Sequence, residues 1–162
     1  MKNIQKENLQ SAVFGFNDAL VSTTGVIVGV STGTNDKQIV ILAGVVTILV
    51  EALSMGAGQY SSSKSIHQLD KSDTFKAPII SGVAMFVSYF LGGLVPLVPI
   101  LVFPIEYSRD VAIAGALIGL FVLGYYKGKI VKVSPIKSAI EILIIGGMAT
   151  AIGIVVGNIL AV

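Results

Sequence analysis

Residues 39–60 read IVILAGVVTILVEALSMGAGQY, an apolar run long enough to cross ~30 Å of hydrocarbon as a helix rising ~1.5 Å per residue. Glu51 interrupts it. A carboxylate at the middle of a bilayer costs roughly 2.5 to 3.5 kcal/mol on insertion scales, so such a residue faces a protein interior and marks an ion or proton route. Asp18 repeats the anomaly in a second apolar run, residues 12–32. Two intramembrane acids in so short a chain point to transport of a cation.

Composition agrees with a membrane protein. Hydrophobic residues make up 54% of the 162 residues, charged residues only 12%, and the mean hydropathy is +0.87. Soluble domains carry about 25% charged residues. Five apolar stretches follow one another, at 12–32, 39–60, 77–103, 111–126 and 139–161. The chain therefore reads as an all-α polytopic membrane protein, a single transmembrane domain over 1–162. The fourth stretch is short, so its helix is expected to start earlier, near Arg109, or to thin the bilayer locally. The polar head at 1–10 is followed by a run too long for a signal-peptide core and containing Asn17 and Asp18, so the first stretch is expected to remain as helix 1. Cysteine is absent, which excludes a disulfide framework and thiolate metal sites. His67 is expected to be solvated in a Ser- and Lys-rich loop at 61–76, and as a lone His makes no metal motif.

Cation placement gives the orientation. With five helices alternating across the membrane, Lys2, Lys6, Lys64, Lys71, Lys76, Lys127, Lys129, Lys132 and Lys137 share one side, while Lys37 and Arg109 take the other. The positive-inside rule then puts the N-terminus in the cytoplasm and Val162 outside. Four or six helices would break this pattern. Small-residue steps at Gly25, Gly29 and Gly33, at Gly115 and Gly119, and at Gly153 and Gly157 permit close helix approach. The stripe on helix 1 can face a neighbour in the same chain or a second copy. Pro96, Pro99 and Pro104 predict a bend or early stop at the outer end of helix 3.

Depth and facing bring the polar residues together. Asp18 lies about 9 Å and Ser22 about 15 Å along helix 1, and Met55 about 7.5 Å and Glu51 about 13.5 Å from the cytoplasmic end of helix 2, at ~1.5 Å per residue. Glu51, Met55 and Gln59 share one stripe of helix 2, and Asp18 and Ser22 one stripe of helix 1. Should those stripes meet, they line a polar path with one thioether in it. Carboxylate and carboxamide oxygens suit hard to borderline divalent ions, and a Met sulfur adds softness useful for Fe²⁺. Asp18, Glu51 and Met55 are thus the candidate metal ligands, with Asn17, Ser22 and Gln59 as candidate path-lining residues. One chain offers only three or four donors, and a two-fold dimer pairing helices 1 and 2 would double them. Glu141 reads as an interfacial charge. No nucleophile and base pair, phosphate loop or cofactor motif points to an enzyme, and no resident cofactor is expected. A helical membrane scaffold and a passive cation channel stay open as alternatives.

Asn17-Asp18-Ala19-Leu20-Val21-Ser22-Thr23, and the helix 2 run from Ala52 through Leu53, Ser54, Met55, Gly56, Ala57, Gly58 and Gln59 to Tyr60 and Ser61, resemble the two signatures of the vacuolar iron transporter family. The likeness extends to the five-helix layout. It implies a homodimer that moves Fe²⁺, in some cases Mn²⁺, out of the cytosol in exchange for protons, along a path built by helices 1 and 2, with Asp18 and Met55 as intramembrane ligands. The Glu51-Ala52-Leu53-Ser54-Met55 run is similar to a prokaryotic branch of that family. A connection of about 16 residues between helices 2 and 3 departs from members that place a Glu- and Met-rich metal-binding domain there. The implied location is a prokaryotic plasma membrane, or a vacuolar membrane in a eukaryote.

Overall fold

The structure is a computed structural model that describes residues 3–70 and 76–161. Among the described residues it is built from five helices, α1 Asn3–Gly33, α2 Lys37–Leu69, α3 Lys76–Val102, α4 Ile105–Val131 and α5 Pro135–Ile159. All five are long and apolar enough to cross a membrane. In hydrocarbon a helix is the way for a single segment to satisfy its own backbone hydrogen bonds, which is why each apolar run becomes one.

The five spans fall where the apolar runs do, but their ends lie further out. At α1, the polar head joins the helix from Asn3 onward. At α2, the helix continues through the serine-rich residues expected to form a loop and stops at Leu69. His67 therefore sits in the last turn of α2, half-buried, with Nδ1 2.9 Å from the Ser63 carbonyl. The fourth helix begins at Ile105 and has 27 residues, so no thinning of the bilayer is required. Hydropathy marks where a helix meets water, whereas the helix itself continues until a residue stops it.

Local chemistry sets those stops. Asp36 caps α2, its Oδ1 accepting from the Gln38 amide at 2.8 Å, the usual function of an N-cap carboxylate. Lys37 donates through Nζ to the carbonyls of Leu101 and Phe103, at 3.2 and 2.9 Å. This cation thereby covers carbonyls that the end of α3 leaves without helical partners. Pro96 and Pro99 do not end α3; both are buried inside it, where neighbouring helices tolerate the lost amides. Only Pro104 acts as a stop, occupying the N-cap of α4. Lys132 closes α4 in the left-handed conformation, φ 61°, and Pro135 opens α5 at its first turn, a position its fixed φ favours.

α3 packs most heavily on α1 and α2, and α1 touches all four other helices. The glycine stripe of α1 faces the same chain. A Cβ on Gly29 would stand 3.1 Å from the Gly153 carbonyl oxygen, and one on Gly153 only 2.5 Å from that of Gly25. Backbone meets backbone along this α1–α5 seam, and only glycine allows it. On α4 the expected pair behaves unevenly, with Gly119 against Leu20 and Gly115 in looser contact. The tight approaches of α4 are instead at Gly124 and Gly128, against Ala139 and Pro135 of α5. In the half of the bundle nearer the α1–α2 and α3–α4 connections, Ile27, Val40, Ile48, Leu97, Ile100 and Ala112 form the largest apolar cluster.

Candidate metal site

α2 carries two parallel stripes with different duties. Val40, Gly44, Ile48, Ala52 and Gly56 recur every four residues and are buried, and Gly56 meets α3 closely enough that a Cβ there would lie 2.9 Å from the Phe86 Cβ. Glu51, Met55 and Gln59 each precede a position of that repeat or its continuation, so they stand at its edge, half-buried. Packing fixes the first stripe and thereby aims the second toward α1 and α3.

Glu51 lies at the meeting point of three helices. Its Oε2 accepts a short hydrogen bond from the Tyr89 hydroxyl of α3. Ser22 of α1 lies 2.6 Å from the same Tyr89 oxygen and 3.4 Å from Glu51 Oε2. Tyr89 has a single hydroxyl proton, and it goes to Glu51. The bond between the hydroxyls therefore runs from Ser22 to Tyr89, giving a chain Ser22 to Tyr89 to Glu51. Glu51 Oε1 takes no hydrogen bond among the described residues. One oxygen is held while the other is free.

The Ser22–Glu51 contact also sets the register of the antiparallel pair. Asp18 is one turn before Ser22 on α1, and Met55 is one turn after Glu51 on α2, so both are displaced by about 6 Å toward the same membrane end. Asp18 and Met55 thus share the next layer. Met55 packs against the cluster of Ala19, Ala52 and Tyr89. Among the described residues neither carboxylate has a Lys or Arg partner. Gln59 continues the stripe a further turn toward that end.

Asn17 does not join this node. It lines a crevice between α1, α4 and α5, and its Oδ1 is buried without a hydrogen-bond partner. One residue is a 100° step around a helix, which separates Asn17 from the Asp18 stripe. Tyr89 is the member that reading the sequence missed. Its position midway along an apolar helix was the available signal, since a buried phenol needs a partner. Ser22 additionally opens, on its other side, onto an apolar cleft of about 610 Å³ between the C-terminal halves of α1 and α5.

No group of three or more His, Cys, Asp or Glu side chains able to hold a metal occurs among the described residues. What one chain gathers is two carboxylates, one thioether and two hydroxyls. That set suits part of the shell of a first-row divalent ion and leaves positions open.

A profile of the VIT family matches residues 9–76 and 66–158. This chain belongs to the VIT family. Vacuolar iron transporter homolog 4 of Arabidopsis thaliana is 28% identical over 158 residues, 89% of this chain and 79% of that protein. An uncharacterized protein of Methanocaldococcus jannaschii is 31% identical over 160 residues, covering 86% and 83%. Vacuolar iron transporter 1 of Eucalyptus grandis is 24% identical, covering 90% and 83%. That alignment runs over 208 residues, more than this VIT-family chain contains, so the Eucalyptus protein carries residues with no counterpart here. The family match itself divides at 66–76, where α2 gives way to α3.

Proposed function

We propose that this VIT-family protein is a divalent transition-metal transporter, not an enzyme, and that it exports Fe²⁺, with Mn²⁺ as a second substrate, from the cytosol in exchange for protons. One observation carries the reading: Asp18 and Glu51 lie within one turn of each other inside the membrane-spanning bundle, and among the described residues no Lys or Arg pairs with either. Two neighbouring carboxylates in hydrocarbon need a counter-cation, and it must be a proton or a metal. Relatives named as vacuolar iron transporters support iron as the metal. Asp18, Glu51 and Met55 are the ligands, and Tyr89, itself held by Ser22, holds one oxygen of Glu51 so that the other points to the ion.

Exchange follows from the same chemistry. Metal binding requires deprotonated carboxylates and releases their protons, so metal and protons compete for one site. The polar residues occupy the half of the bundle next to the cation-rich end, while the apolar cluster around Ile27, Ile48 and Leu97 closes the outer half. We place the cation-rich end in the cytoplasm, with the N-terminus inside, Val162 outside, and the protein in a prokaryotic plasma membrane. Two chains related by a two-fold axis through α1 and α2 complete the ligand shell, since one chain falls short of six donors.

The test is flux into liposomes containing a pH dye, with Fe²⁺ added anaerobically. The expected result is metal entry with matching proton movement, lost in Asp18→Asn and Glu51→Gln while both variants stay folded. Near-normal, proton-coupled entry through Glu51→Gln would remove that residue from the site, and entry without proton movement would make the protein a channel.

A further inference from the structure

The crevice between the start of α1, the end of α4 and the start of α5 takes no part in the carboxylate node. It encloses about 580 Å³, and its walls are largely apolar, with Phe14 on one side and Ile145 on another. Lys6 and Lys127 stand among its lining residues, against the single carboxylate of Glu141. Lys132 and Lys137, where α4 turns into α5, add positive charge to the same end. Among the described residues none of these four lysines has an ion pair.

An apolar slot whose mouth carries excess positive charge fits an amphiphile with an acyl chain and an anionic headgroup. Basic pockets between membrane helices on the cytoplasmic side hold such headgroups, and long Lys side chains reach up from apolar surroundings to meet them. We propose that this crevice binds one anionic phospholipid, its phosphate between Lys6 and Lys127 and an acyl chain lying along Phe14 and Ile145. Glu141 accepts a hydrogen bond from a headgroup hydroxyl, which favours a glycerol headgroup over a choline one. The site lies on the side of α1 turned away from Glu51, so it acts on the packing of α1 with α4 and α5 and not on the ligands themselves.

Native mass spectrometry of the full chain, released from detergent with equimolar phosphatidylglycerol and phosphatidylcholine of identical chains, tests this. The wild type retains one phosphatidylglycerol in preference. Lys6→Gln combined with Lys127→Gln reduces that preference roughly tenfold or more, two cations near the headgroup being removed. Ile145→Trp, which fills the slot at an exposed position, displaces the lipid. Lys64→Gln with Lys76→Gln, at the same membrane end but outside the crevice, leaves the preference intact. Circular dichroism confirms that each variant is folded. Equal retention of both lipids by the wild type overturns the proposal. So does an equal loss in the Lys64 and Lys76 control, which would make the attraction a diffuse surface charge, or retention unchanged by Ile145→Trp, which would mean that no chain enters the slot.

Discussion

α1 presents two seams that differ in kind. Toward α5 it is a line of glycines on glycines, Gly25, Gly29 and Gly33 against Gly153 and Gly157, backbone on backbone. Toward α2 and α3 it presents Ser22, joined through hydrogen bonds to Tyr89 and Glu51, with Asp18 one turn away on the same stripe. The first seam is tightest at Gly153 and Gly157, where a side chain would meet backbone, and the second contains the groups that we propose exchange protons for a metal. One helix is thus a fixed wall on one side and a responsive surface on the other. Stability and function are therefore expected to separate by seam.

The largest effect should come from the glycine side. A Cβ on Gly157 collides with the carbonyl of Gly29 and would stand 2.8 Å from the Thr32 Cβ. Gly157→Leu adds far more, and overpacking costs about 1–3 kcal/mol or more where backbone cannot yield. We expect little folded protein, measured as the monodisperse fraction recovered in detergent. Asp18→Asn and Glu51→Gln should do the reverse, leaving the melting temperature within a few degrees while abolishing flux. Equal damage to folding by both kinds of substitution would erase the contrast between the seams.

Smaller effects sharpen it. Tyr89→Phe removes the hydroxyl that orients Glu51, and losing a residue that orients a metal ligand lowers affinity about 10-fold or more. Stability should barely move, since an intramembrane hydrogen bond is worth about 0.6 kcal/mol on average. Raising the pH should tighten metal binding, because protons leave the carboxylates that the metal needs; an affinity flat in pH would separate metal binding from proton release. At the bottom of the scale stand Gly58→Ala and Gly147→Ala. A Cβ at either meets nothing within 4 Å, and neither flux nor melting should change.

Much of this was legible from the residues. Five apolar runs give five helices, and counting residues along helices 1 and 2 sets Ser22 level with Glu51 and Asp18 level with Met55, the register that the Ser22–Glu51 contact also gives. Helix ends were not legible, because α2 runs on through serines that hydropathy counts as water-loving but that a helix accepts. The partner of the α1 glycines was undecided by spacing, which says that a close approach occurs and not with which helix. Tyr89 escaped notice because a tyrosine in an apolar run looks like packing until its hydroxyl is seen on Glu51. Asn17 was grouped with Asp18 by adjacency, whereas neighbours on a helix face different ways.

The most direct test of the account is equilibrium binding of Fe²⁺ to the purified protein under anaerobic conditions, with released protons counted in the same titration. The account predicts binding accompanied by proton release in the wild type, and loss of both in Asp18→Asn and in Glu51→Gln. Unchanged binding in both variants would contradict it, placing the metal elsewhere in the protein and leaving the two carboxylates without the cation that their position demands.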